Sequence, residues 1–246
     1  MLDHETVKAT IRNLNLIGPF VAKNARNIKF AVLDNRPHTG FLGRPCDGWP
    51  FEGKVVSETD DFFIVKDGRK NRFAAVDSAQ VTYKPEIGEK VRVVPYARRG
   101  FDGYRPDELN ADNRMIIGGD NATLPVDHDA IQSEHLQTLI RQLETLPALD
   151  GHRKITHMLI DAGAKTDSIE LFDRDVNPGL AFTVSTEKHR GKVIITYLPT
   201  DFYAIDLEKN GRIVDGHHQA CFDALAEVLA ERIDDQQWNR ITVTRI

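Results

Sequence analysis

The sequence predicts an α+β protein of two domains, and three patterns carry this prediction. Short apolar runs separated by tight turns follow one another over residues 51–96, as is typical of antiparallel strands. Apolar residues at helical spacing come next, in two stretches over residues 131–146 and 155–162. The last third alternates apolar and polar residues, which indicates a half-buried antiparallel meander with helices packed against it.

The first domain is expected to span residues 1–108, as an N-terminal helix followed by a small antiparallel SH3-like or barrel-like β domain. The helix is predicted from Val7, Ile11 and Leu14 at helical spacing after Asp3, which is an acceptable N-cap. The strand DFFIVK is apolar on both faces, so one face should meet the barrel interior and the other a covering element. We expect the N-terminal helix or the second domain to provide that cover.

The second domain is expected to span residues 129–246, after a linker at 109–128 that is rich in Gly, Asn, Asp and Pro. Asn210-Gly211 predicts the tip of the last hairpin of the meander. The terminal segment ITVTRI reads as a strand that could pair within its own sheet or with another chain. An amphipathic helix over residues 218–233 is predicted to turn four residues inward: Cys221, Leu225, Val228 and Leu229.

Composition argues for a cytoplasmic protein without membrane insertion. Hydrophobic residues make up 41% of the 246 residues, and no apolar run approaches the roughly 20 residues that span a bilayer. The N-terminus lacks the residue order of a secretory signal. Only two cysteines occur, Cys46 and Cys221, which predicts neither a disulfide framework nor a cysteine-rich zinc site.

The two halves of the chain differ in charge. Residues 1–108 hold 18 Lys and Arg against 15 Asp and Glu, a net charge of +3, whereas the remainder holds 14 against 22, a net of −8. This asymmetry suggests separate partners for the two halves, with a cationic protein surface as the natural partner of the acidic half.

Motifs for catalysis or cofactor binding are absent from the sequence. No phosphate-binding glycine loop, nucleophile elbow or zinc-protease motif occurs, so no cofactor is expected. Asp173 and Asp175 are the best acid–base candidates, although a solvated strand end before Pro178 explains them more simply. Together these patterns favour a protein that is not an enzyme. Four histidines match no zinc spacing, although they would converge if the helices that carry them packed side by side: His152, His157, His217 and His218.

Nucleic-acid binding is suggested by two segments that hold clustered cations, the second of them mixed with aromatic residues. The turn DGRKNR is basic, and the segment YARRGFDGYR mixes arginines with aromatic rings, a combination that contacts phosphates and stacks on unpaired bases. Acidic neighbours such as Asp67 and Asp102 reduce the positive potential, and a plain solvated hairpin end is the alternative interpretation. The candidate residues are Lys66, Arg69, Lys70, Arg72, Arg98, Arg99, Phe101, Tyr104 and Arg105.

One stretch carries a resemblance to a known family. Gly53 precedes KVVSETDDFFIV, Gly68-Arg69 lies in the turn, and Pro85, Gly88, Val91, Val93 and Tyr96 lead up to Gly100. With these features, residues 51–100 resemble the KfrB-type domain of bacterial plasmid proteins. The resemblance implies a plasmid or other mobile element as the setting, and accessory work such as maintenance or transfer control.

Three functions follow as hypotheses. The first is a non-catalytic plasmid accessory protein that binds a protein partner and controls or inhibits conjugative transfer, known as fertility inhibition. The second is a nucleic-acid-binding regulator that uses the basic turn. The third is a metal-dependent hydrolase or nuclease that uses Asp173 and its acidic neighbours. All three leave the oligomeric state open.

Overall fold

The chain forms two compact units. One comprises Met1–Ala97 together with Asn239–Ile246, and the other comprises Arg98–Trp238. None of the helices in the described part of the chain has the length and hydropathy needed to cross a membrane. The computed structural model describes residues 2–17, 28–35, 38–39, 45–68, 71–105 and 122–246.

The secondary structure mixes helices and strands, which confirms the predicted α+β class. The α-helices are α1 (His4–Ile17), α2 (Glu134–Thr145), α3 (Ile155–Asp161) and α4 (Leu225–Ile233). The strands of the first half are β1 (Lys29–Leu33), β2 (His38–Thr39), β3 (Pro45–Cys46), β4 (Phe51–Glu58), β5 (Phe62–Lys66), β6 (Arg72–Asp77) and β7 (Lys90–Val94). The remaining strands are β8 (Glu170–Phe172), β9 (Gly179–Ser185), β10 (Arg190–Tyr197), β11 (Tyr203–Lys209), β12 (Arg212–Ala220) and β13 (Thr242–Arg245).

The first unit contains a six-stranded sheet in the order β1-β6-β5-β4-β7-β13. All neighbouring strands in it are antiparallel except β1 and β6, which run parallel. Across the described residues this order has two ends, so the sheet is not a closed barrel and the predicted barrel is not confirmed. A barrel would require the first and last strands to pair with each other.

Both faces of this sheet are buried, as the double-sided apolar pattern of β5 requires. On one face Phe63 and Val65 pack with residues of β6, β7 and β13. On the other face Ile64 packs with Val7 and Ile11 of α1, which are 0% and 1% exposed. The N-terminal helix therefore covers the outer face of the sheet, as one of the two sequence-based alternatives proposed.

The second unit is built on a five-stranded antiparallel meander, in which β8 to β12 pair in chain order. The helices α2, α3 and α4 share one hydrophobic core with one face of this sheet. The predicted hairpin tip is confirmed, because Asn210 and Gly211 have φ angles of +53° and +75° between the paired residues Lys209 and Arg212.

The predicted helix over residues 218–233 is wrong at its start, where seven of the sixteen residues precede α4. Strand β12 continues to Ala220 because its residues pair with β11, and α4 begins only at Leu225. Cys221 is exposed between these elements, whereas the other three predicted core residues are buried. His217 and His218 consequently lie on a strand and not at the start of a helix.

The terminal segment joins the first unit and not the domain that we predicted at residues 129–246. Strand β13 pairs antiparallel with β7, and Ile241 and Val243 fill the core of the first sheet. Most of the predicted linker, residues 109–121, lies outside the described residues. Its end does not behave as a linker, because Leu124 is already part of the core of the second unit.

We expect Val243→Ala to lower the free energy of unfolding of the first unit by about 2 kcal/mol, because it removes buried methyl groups from the contact between β13 and the core. Faster amide hydrogen exchange in Lys90–Val94 would report the loss. Thr244→Ala is the matched control, since Thr244 is exposed on the same strand. Equal exchange in the two variants would contradict the assignment of β13 to the first core.

Candidate functional site

The basic turn of the first unit is partly neutralised by contacts within the protein. Lys66 is buried, and its Nζ donates a hydrogen bond to the carbonyl oxygen of Gly68. The guanidinium of Arg72 is exposed and lies 3.5 Å from a carboxylate oxygen of Asp67. The other two candidate cations of this turn, Arg69 and Lys70, lie outside the described residues.

The candidate residues of the second segment belong to the other unit, and most of them are committed to packing. Arg98 and Arg105 are only 5% and 2% exposed. Phe101 packs against the hydrophobic core of the second unit, and Tyr104 is half-buried. Arg99 is the exposed arginine of the segment, and its guanidinium donates to a backbone carbonyl oxygen. The segment therefore does not present the row of exposed cations that the sequence suggested.

A cavity in the first unit brings aromatic and cationic side chains together. Its volume is about 500 Å³, and strand β1, the start of β6 and the residues just before β4 line it. We call it the aromatic cavity and define it by His4, Lys29, Phe30, Trp49, Phe51 and Arg72. Of these residues the sequence pointed only to Arg72. For the other five residues, the signal that the sequence offered was an isolated tryptophan between glycine and proline, in the stretch DGWP.

Close packing fixes the segment that carries Trp49. A Cβ atom added at Gly48 would lie 2.8 Å from Cγ of Pro95 and 3.4 Å from Cδ2 of Leu33. Because the first distance is shorter than a carbon–carbon contact allows, a larger residue would push this segment away from β1 and β7. Gly48 thus holds Trp49 at the mouth of the cavity, where its side chain is 53% exposed.

The acid–base candidates of the second unit serve a local structural role. The carboxylate of Asp173 accepts hydrogen bonds from the backbone N–H groups of Gln132 and Ser133, at 2.8 and 2.9 Å. These donors precede the first turn of α2, so Asp173 stabilises the start of that helix. Asp175 is exposed two residues further along the chain. Both carboxylates are exposed, as a solvated strand end requires, but Asp173 contacts the start of α2 and not the turn before Pro178.

The four histidines do not assemble a metal site. Nδ1 of His157 accepts a hydrogen bond from the backbone N–H of Lys154 at 3.0 Å, which helps to cap α3. Nε2 of His218 lies 2.7 Å from a carboxylate oxygen of Asp206 on the neighbouring strand. Within the residues that the structure describes, no group of three or more His, Cys, Asp or Glu side chains is arranged to hold a metal ion.

The strongest electrostatic feature of the second unit is Arg153, whose side chain is 1% exposed. Its guanidinium donates to the carboxylates of Asp150, at 2.9 Å, and of Asp161, at 2.8 Å, and also to that of Asp234. The ring of Trp238 lies over it, 3.8 Å from Cζ. Burial alone would lower the pKa of Arg153, but the three carboxylates raise it above its usual value. The guanidinium and its three carboxylates are engaged with one another, so the cluster joins α3 to α4.

Two other perturbed side chains are likewise held by structural contacts. Burial raises the pKa of Tyr203 to about 12, and its hydroxyl donates to Oε1 of Gln142 at 2.7 Å. Burial also raises the pKa of Glu144, whose carboxylate accepts the backbone N–H of Leu124 at 2.8 Å. Each residue joins two segments of the second unit. The carboxylate of Glu144 also lies 3.4 Å from Nε2 of His128.

We expect Arg153→Met to lower the free energy of unfolding by about 3–5 kcal/mol, because it leaves three carboxylates together without their shared cation. Urea denaturation followed by circular dichroism measures the change. Arg141→Met is the matched control, since Arg141 is an exposed arginine on α2 and surface replacements change stability by less than about 0.5 kcal/mol. A similar small change in both variants would show that the cluster does not stabilise the unit.

We also expect the free energy of unfolding to decrease at acidic pH because of this cluster. Burial opposes ionisation of Asp150, but hydrogen bonds from the backbone N–H and guanidinium of Arg153 lower its pKa below the unfolded value. As pH falls, the carboxylate of Asp150 is therefore protonated in the unfolded chain before it is protonated in the folded chain. Its contribution to the free energy of unfolding is present above about pH 4 and is lost as pH falls through the folded pKa. We expect Asp150→Asn to be less stable at pH 7 and to show a shallower loss below pH 4. Identical slopes would contradict this.

Comparisons with protein-family models, with curated proteins and with solved structures found no match to this chain. The resemblance of residues 51–100 to a KfrB-type domain therefore stays a prediction.

Proposed function

We propose that this chain is a non-catalytic accessory protein of a bacterial plasmid or other mobile element, which binds a protein partner and so controls or inhibits conjugative transfer. The genetic setting comes from the resemblance of residues 51–100 to the KfrB-type domain. The proposal includes a cytoplasmic location and a curled, SH3-like arrangement of the first sheet. The mode of action comes from the surface of the second unit.

The two units differ in charge more strongly than the two halves of the sequence. The first unit holds 17 Lys and Arg against 12 Asp and Glu, a net charge of +5. The second unit holds 15 against 25, a net of −10. Strand β13 carries Arg245 and belongs to the first unit, which adds to this difference in charge. A unit with this excess of carboxylates attracts a cationic partner and repels an acidic one.

The observation that carries the proposal is a pair of exposed apolar side chains on an edge strand of this acidic unit. Strand β12 lies at the edge of its sheet, where Ile213 and Val214 are 54% and 57% exposed. Glu208 pairs in register with Ile213, and Asp215 follows Val214. We call these four residues the hairpin surface. Adjacent exposed apolar side chains in a unit of net charge −10 fit a partner that has an apolar centre and a cationic rim.

The irregular backbone of β12 indicates how such a partner would bind. Val214 is an extra residue between two register pairs, and a second irregularity lies near Ala220. Bulges of this kind disfavour pairing of an edge with another strand. We therefore assign the contact to the side chains of the hairpin surface and not to addition of a strand.

Conjugation frequency tests the proposal. Donor cells that carry a self-transmissible plasmid and express the wild-type chain should transfer the plasmid less often than donors without it. The double variant Ile213→Lys, Val214→Lys should restore transfer, because it removes the apolar contact and adds charge that a cationic partner repels. Loss of a contact worth about 1.4 kcal/mol would weaken binding roughly tenfold.

The double variant Leu149→Lys, Val176→Lys is the matched control. Both residues are 65% exposed apolar side chains of the same unit, outside the hairpin surface. The control should inhibit transfer as the wild type does, with an unchanged thermal midpoint. Transfer that is unaffected by the wild-type chain, or inhibited equally by both double variants, would contradict the proposal.

A further inference from the structure

We propose that the aromatic cavity of the first unit binds a nucleotide of single-stranded nucleic acid, with the base stacked on Trp49 and the adjacent phosphate held by Arg72 and Lys29. This binding goes beyond the proposed function, which concerns the second unit. It keeps Arg72 of the basic turn that the sequence suggested and places the rest of the nucleic-acid contact in a defined cavity.

The aromatic residues offer the base a stacking surface. Trp49 is 53% exposed, whereas Phe51 is 8% exposed, and both line the cavity. On the side of α1, the rings of His4 and Phe30 contact each other, with their centroids 4.6 Å apart. Every base has a π face that can stack on such rings, and this explains how a site of this kind accepts any sequence.

The cations lie where a phosphate would be needed. Lys29 and Arg72 are register partners on the parallel strands β1 and β6, and both line the cavity. Two like charges on adjacent strands repel each other, and an anion between them removes that cost. The present partner of Arg72, Asp67, lies at 3.5 Å, which is longer than the roughly 2.7–2.9 Å of a close charge-assisted hydrogen bond. A phosphate can therefore compete for the guanidinium.

The remaining charge of the cavity does not oppose an anionic ligand strongly. Asp47 also lines the cavity, but it is 6% exposed and engaged in contacts within the protein. The guanidinium of Arg72 lies 5.8 Å from the ring centre of Phe51, so positive charge and aromatic surface adjoin directly. With the net charge of +5 on the unit, the site favours an anionic chain over a neutral one.

Size and shape select a single strand among the candidate ligands. A volume of about 500 Å³ suits a ligand of nucleotide size. A duplex hides the faces of its bases, so it could use the cations but not Trp49. A proline-rich peptide also binds aromatic grooves, but it gains nothing from Lys29 and Arg72.

Fluorescence anisotropy with a labelled twelve-nucleotide oligo-dT tests the proposal on the full chain. We expect Trp49→Ala to raise Kd about tenfold or more, because stacking is lost, and Trp49→Phe to recover most of the affinity. Arg72→Gln should weaken binding at low salt and reduce the dependence of log Kd on log salt by about one phosphate contact.

Two control variants separate this site from general effects. Arg92 has a side-chain exposure of 51%, close to the 53% of Arg72, and lies outside the cavity, so Arg92→Gln should change Kd less than Arg72→Gln does. Phe222 is 57% exposed on the second unit, and Phe222→Ala should bind as the wild type does. The lysine variant of the hairpin surface should also bind normally, so this proposal and the proposed function can fail separately.

Five outcomes would overturn the proposal. The first two are absence of oligo-dT binding at low salt, and equal Kd values for the wild type and a folded Trp49→Ala variant. The next two are binding of a twelve-base-pair duplex as tight as that of oligo-dT, and tighter binding of a proline-rich peptide. Thymidine monophosphate provides the fifth test. Binding of the free nucleotide as tight as that of oligo-dT would assign the cavity to a small molecule and overturn the single-strand assignment.

Discussion

The pairing of β13 with β7 is the constraint on which the organisation of the chain depends. Thr242 to Arg245 pair with Val94 to Val91, and Val243 enters the core of the first sheet. Just before β13, the backbone N–H of Ile241 donates to the carbonyl oxygen of Gln80 at 2.9 Å, and the N–H of Thr82 donates to the carbonyl oxygen of Ile241 at 3.0 Å. The first unit is thus made from two pieces of chain, and the whole second unit is inserted between them. Both units therefore have their own core, sheet and charge, and each can present a separate binding surface.

Within the second unit, Arg153 has a comparable organising role. It joins the segment before α3, the end of α3 and the residue after α4, and Trp238 covers it at the point where the chain leaves the unit. The guanidinium and its carboxylates are engaged with one another, and Asp173 is engaged with the start of α2. Asp173 and the Arg153 cluster therefore stabilise the second unit. We propose the hairpin surface of the second unit and the aromatic cavity of the first unit as sites where partners bind.

Local patterns in the sequence predicted what is locally determined. The helix α1, the double-sided burial of β5 and the hairpin tip at Asn210-Gly211 follow from periodicity and turn chemistry. Long-range choices could not be predicted in this way. The segment ITVTRI alternates equally well for either sheet, and His217 and His218 join β12 because β11 offers them a partner. The aromatic cavity was not predicted for the same reason. Lys29, Trp49 and Arg72 are separated in sequence, and the order of the strands brings them together.

Excision of the units tests the central claim, which is that one unit is inserted in another and both fold separately. Three chains are needed: residues 98–238, residues 1–97 joined to 239–246 by a short Gly/Ser linker, and residues 1–97 alone. Thermal unfolding of each is followed by circular dichroism and by amide exchange. We predict cooperative unfolding for the first two chains, and loss of cooperativity for residues 1–97 alone because the β13 contribution to the core is missing. Residues 1–97 alone as stable as the joined chain, or an unfolded chain of residues 98–238, would contradict the account.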